Sequence, residues 1–302
     1  ISGGTLDVTN WRITTAASKA GAKPAVSGGT FTKAVSADYC AEGFEPKDNG
    51  DGTFGVKEIS AAKIGNVEYE TLAAAFAAAK DGETIVLLKN SSGNGIQVNT
   101  EKFVNQGLTV DFNGHTYTVG GVLVGSTGTG TNAFQLLAGG KVTFMNGSIV
   151  GVAEGTKPAE DTPNWHGAPA LVIQNYCDLT LSGMKVSGGY NTVYTMSNNC
   201  GTVVIENTTI NAGGGGSGRA PFALDACGYT GVSVTVKGTS TINGDIEVSR
   251  SASNENAVTL TLENGTVNGT LKIDSSIKSG DATTVTKSAN VTLAAPDGYL
   301  WN

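Results

Sequence analysis

Apolar and polar positions alternate along much of this chain, and one short phrase keeps returning: apolar, polar, apolar, then a Gly or Asn two residues on. The copies begin at Val110, Val142, Leu179, Val203, Val234, Leu260 and Val291, so their spacings are 32, 37, 24, 31, 26 and 31 residues. Their corner residues are Gly114, Asn146, Gly183, Asn207, Gly238 and Asn264, with Ala295 the one departure. A recurrence on that scale marks stacked structural repeats. Alternation with a period of two reads as short strands that turn their apolar residues to one side.

A further apolar strand precedes each copy, at 96–98, 134–136, 171–173, 192–194, 222–224, 246–248 and 271–273. A third, weaker one follows the corner, at 116–119, 148–150, 185–186, 209–210 and 241–242. Three short strands per repeat predict a triangular coil with inward apolar columns. Thr stands at the outward middle position of five of the seven phrases, which suits the exposed face of a parallel sheet. The Gly and Asn corners predict a left-handed backbone bend, and Asn146, Asn207 and Asn264 are placed to reach the neighbouring turn.

The segment 66–82 breaks the alternation. Leu72, Phe76 and Ala79 share one helical face, and Lys80-Asp81-Gly82 stops the helix, so this segment is expected to cover the open strand edges of the coil. Upstream, Ile1-Ser2-Gly3-Gly4-Thr5 and Val26-Ser27-Gly28-Gly29-Thr30 lie 25 residues apart, and Val186-Ser187-Gly188-Gly189-Tyr190 repeats them. Asp48-Asn49-Gly50-Asp51-Gly52 predicts a hairpin turn. Pro296 to Trp301 is similar to the entry of that hairpin, so the chain reads as a piece of a tandem array. The expected organisation is a tail of an upstream repeat unit ending in a β-hairpin over 1–58, a linker and capping helix over 59–82, and the coil over 83–302.

Composition narrows the partners. A net charge of −7 with 19 Lys plus Arg disfavours nucleic acid and anionic membranes, which both need a basic face. No apolar stretch approaches the roughly 20 residues of a membrane span. Cys40, Cys177, Cys200 and Cys227 do not follow a metal-binding spacing. The last three each sit in the bend just before a copy of the phrase, where successive turns stack them. Semi-buried free thiols are the simpler reading, and a disulfide between two of the three stays open.

The series VSGGTF, YCAEGFEPKDNGDGTFGV, AKDGETIVLLKN and LTVDFNGHTYTV resembles the repeat region of large secreted or wall-attached proteins of gut Firmicutes. The resemblance spans most of the chain. It implies an all-β fold, a right-handed parallel β-helix (solenoid) of the pectin-lyase-like superfamily, here with a short N-terminal capping helix. It also implies an extracellular or cell-wall location. The superfamily includes polysaccharide lyases and hydrolases, but the Asn-Thr-Asp, Gly-His-Gly and Arg-Ile-Lys signatures of polygalacturonases do not occur in this sequence.

Candidate chemistry therefore falls in what does not repeat. Long insertions at 120–132, 151–169 and 211–220 leave the same corner of the expected coil. They bring together Glu160, Asp161, Trp165, His166 and Arg219, with Tyr190 on a neighbouring turn. Trp165, His166, Tyr190 and Arg219 form a candidate ligand platform, against the simpler reading of a solvent loop. Glu160 and Asp161 are candidate catalytic carboxylates, although adjacent side chains poorly span the roughly 5–9 Å a glycosidase needs. His115 reads as a structural residue of a bend. Asp225 and Glu247 lie in neighbouring turns and read most simply as solvated residues, with a shared calcium ion as the alternative. The run from Asp48 to Thr53 has Gly where a calcium loop needs ligands. No metal or cofactor is expected. The first reading of function is a non-catalytic bacterial surface module, a monomer within a longer chain, that binds a glycan or host protein. A polysaccharide lyase or glycoside hydrolase and a structural spacer are the alternatives.

Overall fold

The computed structural model describes residues 2–6, 25–126, 131–151, 169–215, 220–250, 257–273, 283–288 and 291–293. Among the described residues 56% are in strands and 6% in helix, and the chain divides into two compact units, Ile1–Ser60 and Ala61–Asn302. In the first unit, Ser2–Leu6 pairs in parallel with Gly28–Phe31, so the two SGGT copies lie side by side. Phe44–Asp48 and Phe54–Glu58 form an antiparallel hairpin. Its turn is held by side chains: Gly50 donates its N–H to Asp48 Oδ1, and Thr53 donates to Asp51 Oδ1. Val26, Phe31 and Val35 make a small core of their own.

In the second unit, parallel pairing builds three ladders. The first runs Ile96–Val98, Asn132–Leu136, Leu171–Asn175, Tyr194–Asn198, Phe222–Gly228, Asp245–Arg250 and Leu271–Ile273, a seven-stranded sheet in sequence order. The second includes Thr84–Leu87, Leu108–Asp111, Gly201–Glu206, Val232–Lys237, Val258–Leu262 and Thr283–Lys287. The third includes Ser91–Gly93, Thr116–Val119, Thr209–Asn211, Thr241–Asn243, Gly265–Asn268 and Val291–Leu293. Two long strands, Lys141–Gly151 and Asp178–Ser187, run through both the second and third ladders and join them into one sheet.

Register explains the alternation. Leu108, Val142, Leu179, Val203, Val234 and Leu260 form one buried column of the second ladder, and Val110, Phe144, Leu181, Ile205, Val236 and Leu262 form the next. Between them Thr84, Thr109, Thr143, Thr180, Val204, Thr235, Thr261 and Thr286 align on the opposite face. Burying the apolar columns stabilises the unit by roughly 25 cal/mol per Å² removed from water.

The two end copies of the phrase are out of register. Val110 pairs with Phe144, so the aligned copy is Leu108-Thr109-Val110, and the corner after it is longer. Phe112 still turns inward there and meets Phe144 edge-on at 5.8 Å. At the other end Val285 takes the aligned place, and Val291-Thr292-Leu293 belongs to the third ladder, paired with Gly265–Val267. A three-letter pattern of apolar alternation fits any strand with one buried face, so it cannot distinguish the ladders.

The corners adopt the left-handed conformation at Asn146 (φ 58°), Gly183 (φ 64°), Asn207 (φ 50°) and Gly238 (φ 66°). Asn207 Oδ1 accepts hydrogen bonds from the Thr239 N–H and hydroxyl of the next turn. A Cβ on Gly238 would lie 2.3 Å from that oxygen, so the corner that follows Asn207 is held to Gly. At Asn264 the bend moves one residue on, to Gly265 (φ 118°).

An asparagine ladder ties the third strands together. Asn268 Nδ2 donates to Asn243 Oδ1 and Asn243 Nδ2 to Asn211 Oδ1, each at 2.7 Å, and Asn211 Nδ2 donates to Ser187 Oγ at 2.8 Å. Asn243→Ala removes the middle link and strands a donor and an acceptor. We expect it to cost about 1–2 kcal/mol in urea denaturation, against near-neutral behaviour for Asn49→Ala in the first unit's turn.

The single α-helix among the described residues is Leu72–Ala78. It is shorter than the segment that suggested it, because Gly65 (φ 56°) turns Ala62–Ile64 into a hairpin with Val67–Tyr69. Thr71 caps its start by accepting the Ala74 N–H. Lys102 Nζ takes the Phe76 and Ala77 carbonyls at its end, where a cation also suits the helix dipole. Leu72, Ala75 and Phe76 are buried in the main core. No helix among the described residues is long and apolar enough to cross a membrane.

Candidate functional site

Of the residues singled out from sequence, Glu160, Asp161, Trp165, His166 and Arg219 lie outside the described residues. Tyr190 is described and is 42% exposed. It stands at a tight corner: Gly189 donates to Thr192 Oγ1, and the Thr192 hydroxyl donates to the Pro169 carbonyl at 2.7 Å. His115 serves its bend through its backbone, donating to the Phe112 carbonyl and accepting from the Ser148 N–H. The long insertions each leave a third-ladder strand and enter a first-ladder strand, so their ends adjoin the first-ladder sheet.

The outward face of that sheet carries the densest chemistry among the described residues. Phe134, Ile173, Met196, Leu224 and Ile246 face the core, so the next residue of each strand faces away from it. Those residues are Gln135, Gln174, Ser197, Asp225 and Glu247, extended by Gln97 at one end and Lys272 at the other. The row is internally bonded. Gln97 Nε2 donates to Gln135 Oε1, and Gln135 Nε2 donates to Gln174 Oε1 at 2.8 Å. Ser197 Oγ and Ser249 Oγ donate to the two carboxylate oxygens of Asp225, each at 2.9 Å. The Tyr194 hydroxyl donates to Glu247 Oε2 at 2.9 Å.

Asp225 is only 4% exposed, so the expectation of a solvated residue is wrong for it. Serines on both neighbouring strands replace water as donors, which lets the carboxylate be buried. Beside this row Tyr194 and Phe222 stack in parallel with centroids 5.6 Å apart, and Lys272 Nζ lies 5.1 Å from the Phe222 centroid. Burial, reinforced by Glu247, pushes the Tyr194 phenol well above its usual range. Burial, then the Asp225 charge, raises the Cys227 thiol to about 11. Burial alone would raise Asp245, but Lys272 and the Thr270 amide more than offset it and hold the carboxyl below its ordinary value. On the far side of the row Tyr176 and Tyr229 meet edge-on at 6.0 Å, with Tyr229 exposed.

No protein-family model, curated protein or solved structure matches the chain. Among the described residues no group of three His, Cys, Asp or Glu is placed to hold a metal ion. A shallow cavity of about 400 Å³ on the second ladder is lined by Thr109, Thr143, Thr180, Lys141 and Asp178, with fewer ionisable groups than the first-ladder face.

Sequence reading missed this row for a definable reason. It placed the fourth first-ladder strand at 192–194, whereas the strand is Tyr194–Asn198. With that shift Ser197 and Asp225 never came into one row. The available signal was the middle residue between paired apolar positions, already polar at Gln97, Gln135, Glu247 and Lys272.

Proposed function

We propose that this chain is a non-catalytic module of a bacterial surface or secreted protein that binds a glycan on the outward face of its first ladder. Its fold, in this reading, is a right-handed parallel β-helix. Each turn visits the three ladders in the same order, and parallel crossovers are right-handed in nearly all known cases. The resemblance to Firmicutes repeat regions supports the extracellular or wall-attached location.

The observation that carries the binding reading is the row of amide, hydroxyl and carboxylate groups from Gln97 to Lys272, flanked by tyrosines, in which Gln97, Gln174, Glu247 and Lys272 reach solvent over the buried Gln135, Ser197 and Asp225. Such groups match vicinal sugar hydroxyls, which offer paired donors and acceptors. Glu247 is half-buried and accepts the Tyr194 hydroxyl on Oε2 at 2.9 Å, which places a carboxylate and a phenol side by side on this face. The second reading is a glycoside hydrolase, because Asp225 and Glu247 are carboxylates in register on adjacent strands, whose backbones lie about 4.8 Å apart.

A glycan-array screen of the chain, with reducing-end release measured on every polysaccharide bound, separates the two. Binding without product supports the module. Product formation lost in Glu247→Gln establishes the hydrolase, and an array with no bound glycan sinks both in favour of a host protein or a spacer.

A further inference from the structure

The three cysteines of the bends are not equivalent. Cys177 and Cys200 each stand two residues past Asn175 and Asn198, which are register partners on adjacent parallel strands and face the core. The alignment persists into the bend, where the Asn199 N–H donates to the Asn175 carbonyl at 2.8 Å. Two residues past an inward position is inward again. Accordingly Cys177 is 2% and Cys200 8% exposed. Cys227 instead follows Ala226, the register partner of Asn198, by one residue and so turns outward opposite Ser249, half-exposed.

Successive strands lie about 4.8 Å apart, inside the roughly 4.4–6.8 Å Cα range of a disulfide. The chain is tight at this bend, since a Cβ on Gly201 would lie 2.5 Å from the Cys177 carbonyl oxygen. All four cysteines are free thiols in this structure. The Cys177 thiol donates to Asn175 Oδ1 at 3.2 Å, and the Thr230 hydroxyl donates to the Cys200 sulfur.

We infer that Cys177 and Cys200 are a disulfide site that links two successive turns of the second unit, with Cys227 left outside it. The oxidant is a low-molecular-weight disulfide of the oxidising compartment outside the cell. The Cys200 thiolate attacks one sulfur of that disulfide and expels a thiolate, which takes up the Cys200 proton. Cys200 is the more exposed of the two and reacts first, while burial raises the Cys177 thiol to about 12. Cys177, deprotonated in turn, attacks the Cys200 sulfur of the mixed disulfide. The second small thiol leaves with that proton, so two protein thiols are oxidised and one external disulfide is reduced to two thiols.

This inference is independent of the ligand. The test incubates the whole chain in a buffer of oxidised and reduced glutathione, titrates free thiols and maps peptides without reduction. Free thiols are expected to fall from four to two, with one bond joining the Cys177 and Cys200 peptides. Cys227→Ser should keep that bond, and Cys200→Ser should lose it without transferring it to Cys227. A bond from Cys200 to Cys227, or four free thiols in protein with a native circular dichroism spectrum, overturns the assignment. The wild-type map decides the question even where a variant does not fold.

Discussion

Phe144→Ala is expected to lower the stability of the second unit by about 3–5 kcal/mol, read as a fall in the urea midpoint. Phe144 is fully buried and meets three other rings: Phe134 at 5.6 Å, Phe112 at 5.8 Å and Phe76 at 6.4 Å. Those contacts join the first ladder, the corner after Leu108–Asp111 and the helix in one cluster, which Tyr117 extends through Phe134 at 5.8 Å. Truncation leaves a cavity that rigid parallel strands cannot close, so the cost sits at the upper part of the range for large-to-small changes. Amide exchange locates the damage: protection at Leu72–Ala78 should fall more than protection in Val258–Leu262, several turns away. Equal loss at both places would show that the unit unfolds as one block and that the cluster has no local role.

The regular part of this fold was legible because a parallel ladder leaves a period-two trace in every strand. Five of the seven phrase copies align in the second ladder, from Val142 to Leu260. Both end copies slip, and the reason is general. Inside the stack each strand has neighbours on both sides to fix its register, whereas at the ends corner lengths change and the same three-letter pattern recurs in another ladder. The corner residues were readable for a different reason. Only Gly and Asn enter the left-handed region cheaply, so Asn146, Gly183, Asn207 and Gly238 announce the bend by identity rather than by pattern.

The candidate site was less legible. Its groups sit in a row across strands, so each is separated from the next by 22 to 39 residues, as Asp225 is from Glu247 and Gln135 from Gln174. Aligning them requires the register of every strand, and a shift at Tyr194–Asn198 was enough to scatter the row. Sequence proximity instead drew attention to Trp165 and His166, whose density of chemistry was along the chain. Burial was also invisible in advance: nothing in the string around Asp225 says that Ser197 and Ser249, 28 residues before and 24 after, will satisfy its carboxylate.

That carboxylate gives the second large effect. Asp225→Ala is expected to cost about 2–4 kcal/mol in urea denaturation, because it strands the Ser197 and Ser249 hydroxyls beside a buried position. Asp225→Asn should recover much of this, since its amide oxygen still accepts one of the two hydroxyls. Glu247→Gln should leave stability within about 0.5 kcal/mol, as an exposed-side substitution that keeps an oxygen for the Tyr194 hydroxyl. On a glycan identified by the array it should nevertheless weaken binding about tenfold or more, the loss of one hydrogen bond to a charged group. The two carboxylates thus separate: Asp225 holds three strands together, and Glu247 is the one proposed to meet the glycan. Should Glu247→Gln bind as well as the wild type while Asp225→Ala destabilises as expected, the row is scaffold, and recognition belongs to the insertions that adjoin it.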